Sequence, residues 1–137
     1  MLAALQTLAS LLARDPLTVD HVIEQLGTVT HDYGGNVLLA PRDPLFKEAN
    51  VVREIDLTTL EPSNTPAHVT LTPVEPPSVE TLAQTLGTYA QIPAKEKIPP
   101  QVIFYLDMPG QPYTIVLIAV VKEDRAVKIT LRRDIRL

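Results

Sequence analysis

At 137 residues, with 45% hydrophobic and 20% charged side chains, the chain has the composition of one globular domain able to bury its own core, not that of a disordered segment. The absence of cysteine excludes disulfides, thiol nucleophiles and thiolate metal sites, and the scarcity of aromatics, with no tryptophan, makes Leu, Val and Ile the core formers. The net charge of −4 is uneven: residues 1–80 hold eleven acids and four bases, about −7, while residues 81–137 hold five acids and eight bases, about +3. Such a polarity steers partners through long-range fields, and its acidic half suits a basic partner.

Leu2, Leu5, Leu8, Ala9 and Leu12 follow helical spacing, which predicts an amphipathic helix over residues 2–14, ended by Asp15-Pro16. The first eight residues lack the positive n-region of a secretory signal, which leaves the compartment open and favours the cytoplasm. The longest apolar run, Ile115 to Val121, has the length of a strand and is too short for a membrane-spanning helix.

Thr18-Val19-Asp20-His21-Val22-Ile23-Glu24-Gln25-Leu26-Gly27-Thr28 returns sixty positions later as Ser78-Val79-Glu80-Thr81-Leu82-Ala83-Gln84-Thr85-Leu86-Gly87-Thr88. Each copy carries a hydroxyl N-cap, an acid in the first turn where the helix dipole favours it, one apolar stripe, and a glycine suited to a left-handed C-cap. Three strands are expected after each helix. They are 36–40, 50–57 and 67–74 in the first unit, then 101–108, 113–122 and 126–133 in the second. Val51, Ile55 and Leu57 alternate with Val52, Glu54 and Asp56, and Val69 and Leu71 alternate with His68, Thr70 and Thr72. Pro62, Pro66, Pro73, Pro76 and Pro77 stiffen the link between the units, and Pro109-Gly110 suits the centre of a type II turn.

The capped helix ending in Leu-Gly, followed by antiparallel strands and used twice, is similar to repeats of the β-lactamase-inhibitor-like proteins over about eleven residues per copy. No functional residue carries over from that resemblance. The expected fold is α+β in a single domain. It comprises an N-terminal helix (1–16) and two tandem α-β-β-β repeats (17–76 and 77–137), with about six strands in one antiparallel sheet and the helices on one face.

Ile115 to Val121 is apolar on both faces, so both sides of that strand need cover. The repeat helices can cover one side. For the other, the candidates are the N-terminal helix, which is the favoured one, a second copy, or a different partner.

Little in the chain points to chemistry. Ser10 falls in a helix, Ser63 in the proline-rich link and Ser78 at an N-cap, none in a nucleophile-elbow setting. His21, His31 and His68 have no metal-ligand spacing. Glu54 and Asp56 share a strand face without the aromatic platforms of a sugar cleft, and Gly34-Gly35 lacks the lysine and hydroxyl of a phosphate loop. Lys128 and Arg132 share a strand face, but nearby acids and the absence of stacking aromatics argue against nucleic acid. Catalytic, metal and cofactor sites are therefore expected to be absent. His31, Asp32, Tyr33 and Asn36, on a glycine-bearing loop after the first repeat helix, are the candidate partner-binding residues, with Tyr33 as anchor.

The expected function is that of a non-enzymatic protein-binding module, inhibitor-like or immunity-like. A self-associating structural subunit is the first alternative, and a small enzyme or ligand carrier with a cavity between sheet and helices is the second.

Overall fold

The computed structural model describes residues 2–41, 52–60 and 65–135. Among them lie α1 (Leu2–Leu12), α2 (Val19–Leu26), β1 (Gly27–Asp32), β2 (Asn36–Pro41), β3 (Val52–Leu60), β4 (Thr65–Pro73), α3 (Val79–Leu86), β5 (Ala90–Ile92), β6 (Gln101–Leu106), β7 (Tyr113–Lys122) and β8 (Arg125–Ile135). The fold is α+β, with a single open antiparallel sheet in the order β1-β2-β3-β4-β8-β7-β6-β5.

Among the described residues eight strands replace the expected six, because each repeat helix is followed by four. The two additions, β1 and β5, are the sheet edges. An edge strand packs little and needs no apolar alternation, so β1, exposed after Gly27, and the three exposed residues of β5 carry no strand signature. At the sheet centre β4 pairs with β8 so that Thr70 lies opposite Thr130, its counterpart sixty positions on. Their hydroxyl oxygens are 2.8 Å apart.

The helix caps form as the sequence dictates. The Thr18 hydroxyl accepts from the His21 amide at 3.2 Å, and the Ser78 hydroxyl accepts from the Thr81 amide at 3.1 Å. The two C-terminal glycines differ. Gly87 has φ +99, but Gly27, expected to be left-handed, is extended at φ 174. Gly27 is required for another reason: a Cβ there would fall on the Ala40 carbonyl of β2.

One face of the sheet carries the core. Leu39, Ile55, Leu57, Val69, Leu71, Ile129, Leu131, Leu117, Ala119, Val102 and Phe104 form one cluster with the buried residues of all three helices. Val52, expected on the wet face, joins this cluster because the register shifts between Val52 and Glu54. Arg133 ties α1 down from β8. Its guanidinium donates to the Leu12 carbonyl at 2.6 Å, the Arg14 carbonyl at 2.7 Å and the Pro66 carbonyl at 3.2 Å.

Turns join β6 to β7 and β7 to β8. The Gln111 amide donates to the Met108 carbonyl at 3.1 Å, with Gly110 at φ +77. Between β7 and β8, Glu123 and Asp124 both hold positive φ, +53 and +63, the arrangement of a two-residue hairpin that Asn-Gly fills with less strain. Replacing the pair (Glu123→Asn with Asp124→Gly) is expected to stabilise the protein by about 1 kcal/mol. Urea unfolding would measure it, and an unchanged or lower midpoint would refute it.

Candidate functional site

With α1, α2 and α3 on one face, strand register assigns the composition of the other. One row across it reads Thr58, His68, Arg132, Val116 and Tyr105, on β3, β4, β8, β7 and β6 in turn. The next reads Asp56, Thr70, Thr130, Ile118 and Ile103. In the third, Glu54 lies opposite Thr72, and Val120 lies between Lys128 and Gln101. The β7–β6 half of this open face is thus apolar, the centre is a threonine seam, and the β3 side is acidic.

The N-terminal helix does not cover the outward side of β7. Its buried residues belong to the same cluster as Ile115, Leu117 and Ala119, on the helix side of that strand. An eleven-residue helix with one apolar stripe packs once, and the deeper side of the sheet, already flanked by α2 and α3, gives it more apolar contact. Val116, though only 4% exposed, lies outside the core cluster, shielded by its neighbours across the face. Beside it on β6, Tyr105 is 70% exposed.

Charge on this face is partly used up internally. Arg132 forms a two-point pair with Asp134, at 2.8 and 3.0 Å. That hydrogen bonding, the largest influence, raises its pKa against a smaller lowering by desolvation. Asp56 accepts from the Asn36 amide nitrogen at 3.1 Å. Glu54 and Lys128 are exposed, and neither forms an ion pair among the described residues.

The four residues singled out from sequence occupy one place, the β1–β2 hairpin tip. It is an ordered edge hairpin and not a loop hanging from the helix. The rings of His31 and Tyr33 stack with centroids 5.9 Å apart and planes within 3°. The Asp32 carboxylate accepts from the Gly34 amide at 2.9 Å, and the Tyr33 amide donates to the Asn36 carbonyl at 2.9 Å. Gly34, at φ +90, turns the chain. Asp32 and Asn36 therefore hold the turn and the strand start, and Tyr33, 61% exposed, is the side chain left to reach outward.

The hairpin tip and the apolar half of the open face lie at opposite ends of the sheet order, so they are two separate surfaces. Sequence reasoning identified β7 but not its companions Ile103 and Tyr105. Their alternation with Val102 and Phe104 in β6 was the available signal. His21 approaches Glu24 at 3.9 Å on α2, and His68 sits on the open face across from Arg132. Ser63 lies outside the described residues. Among the described residues no group of three or more His, Asp or Glu could hold a metal ion, and no helix is long and apolar enough to cross a membrane. Comparison with protein-family models, curated proteins and solved structures found no match.

Proposed function

We propose that the protein is a non-enzymatic protein-binding module, of inhibitor-like or immunity-like type, that engages a partner protein through the open sheet face. One observation carries this reading. Half-buried Ile118 and Val120 of β7 and Ile103 of β6, with exposed Tyr105, form an apolar patch around the buried Val116 on the side of the sheet away from α1, α2 and α3. Contiguous apolar surface rimmed by polar groups is characteristic of interaction sites, and a projecting tyrosine is a favoured anchor. The acidic first half suits a basic partner. The hairpin tip, with Tyr33 outermost among His31, Asp32 and Asn36, serves as a second recognition element at the far edge.

The test is affinity capture from the native host with matched variants. Ile118→Lys puts a charge on the open face and should reduce capture of a specific partner at least tenfold while the melting temperature stays within a few degrees. Tyr33→Ala with Asp32→Ala tests the tip separately. A partner held equally well by Ile118→Lys removes the open face from the function.

A specific charge pattern supports self-association as the second reading. Glu54 on β3 and Lys128 on β8 flank β4 on the same face. A twofold axis along β4 would set Glu54 of one copy over Lys128 of another, and Ile118 over Leu38. Light scattering should then report a dimer that Lys128→Glu dissociates and that returns when this variant is mixed with Glu54→Lys. A wild-type monomer at all concentrations sinks this second reading and leaves the first standing.

A further inference from the structure

The two halves differ in how their helices meet the sheet. In the first, α2 runs directly into β1 and packs on β1, β2 and β4. In the second, Gly87, Thr88 and Tyr89 separate α3 from a β5 of three residues, and α3 finds β6 instead. A cleft of about 570 Å³ results, walled by Val79 and Ala83 of α3 and by Tyr89, Ile92, Val102 and Val121. The Tyr89 ring is braced by Phe104, with centroids 5.3 Å apart.

The rim of this cleft is acidic. Glu80 and Asp124 both line it, and among the described residues no lysine, arginine or histidine does. The Val79 amide donates to the Asp124 carbonyl at 2.9 Å, which brings the two acidic residues to the same end of the groove. Neither carboxylate forms an ion pair among the described residues.

We propose that this cleft binds a compact small molecule with an apolar body and a protonated amine. The volume matches ligands of that size, and apolar walls with a few convergent polar groups are the usual make-up of small-molecule sites. The walls take the hydrocarbon, while the two carboxylates attract a cation and repel an anion of the same shape. The site is independent of the protein-binding reading, since α3 lies on the opposite side of the sheet from the open face.

Nuclear magnetic resonance titration with phenylbutylamine, phenylbutanol and phenylbutyrate separates body from charge. The expected result is saturable shifts confined to amides around Val79, Ala83, Tyr89 and Val102, with the amine binding about tenfold more tightly than the carboxylate and the alcohol between them. In the Glu80→Gln, Asp124→Asn variant the three affinities should fall within about twofold of one another, with that of the alcohol unchanged. Both replacements are near-isosteric, and asparagine tolerates the left-handed conformation of residue 124, so the fold is retained. Equal binding of amine and carboxylate, shifts scattered over the acidic surface, or an order that survives the double substitution would each overturn the proposal. So would much tighter binding of acetyl-Leu-Lys-Leu-amide, which would mark a peptide groove instead.

Discussion

Gly27→Ala should lower the unfolding free energy by about 3 kcal/mol, whereas Gly87→Ala, at the matching position of the second half, should cost about 1 kcal/mol. Both glycines follow a Leu at the end of a capped helix, and both amides donate back into that helix, to the Ile23 and Ala83 carbonyls. Their surroundings decide the difference. At Gly27 the chain enters β1 at once and lies against β2, so an added methyl meets the Ala40 carbonyl, a backbone group that cannot rotate away. At Gly87 an added methyl meets nothing within 4 Å, and only the unfavourable φ of +99 is charged against it. Urea unfolding of the two variants checks the ranking. Hydrogen exchange should also show the β1 amides opening early in Gly27→Ala, because peeling the edge strand relieves the clash. Equal losses for the two variants would contradict the close-approach explanation.

The second large loss is expected at Arg133. Helix α1 has no basic residue in its last turn, so its C-terminal carbonyls receive their cation from β8, across most of the chain. The same guanidinium stacks over the Tyr113 ring at 3.9 Å and reaches Pro66 at the start of β4. Burial pulls its pKa below the ordinary arginine value, with Tyr113 and Asp15 acting in the opposite sense. Arg133→Ala removes three charge-assisted hydrogen bonds and a cation–π contact, and should destabilise by about 2–3 kcal/mol after allowance for partial exposure. Arg133→Lys should recover less than half of that, since an ammonium cannot span three carbonyls in a fixed fork. Trypsin reports the local consequence: cleavage after Arg14 should accelerate in both variants as α1 loosens. Unchanged cleavage with an unchanged midpoint would show that α1 is held by its leucines alone.

These two residues also show where reading the chain stops. Sequence marks Gly27 as a helix stop and is right about the stop, but the obligate reason for glycine there is a strand brought in from Ala40. Arg133 looks like one more base in a basic C-terminal run. Its separation from Arg132, which pairs outward with Asp134, comes from strand alternation, and its role comes from α1 lying across the sheet. Tyr105 is similar: alternation places it outward, while its exposure follows from α1, α2 and α3 all packing on the other face.

The chain by itself determined what depends on nearest neighbours and periodicity. Thr18 and Ser78 cap the repeat helices, β7 spans Tyr113–Lys122, glycine turns the chain at residue 110, and the class is α+β, because caps, turn preferences and apolar spacing act over a few residues. Tertiary structure alone decided the number of strands, the side on which α1 packs, and the existence of the cleft under α3. Edge strands bury too little to leave an apolar pattern, and an amphipathic helix specifies that it must be covered without specifying by which surface. The helix side of β7 is the one on which α1, α2 and α3 share a single cluster, a long-range arrangement that no local segment contains.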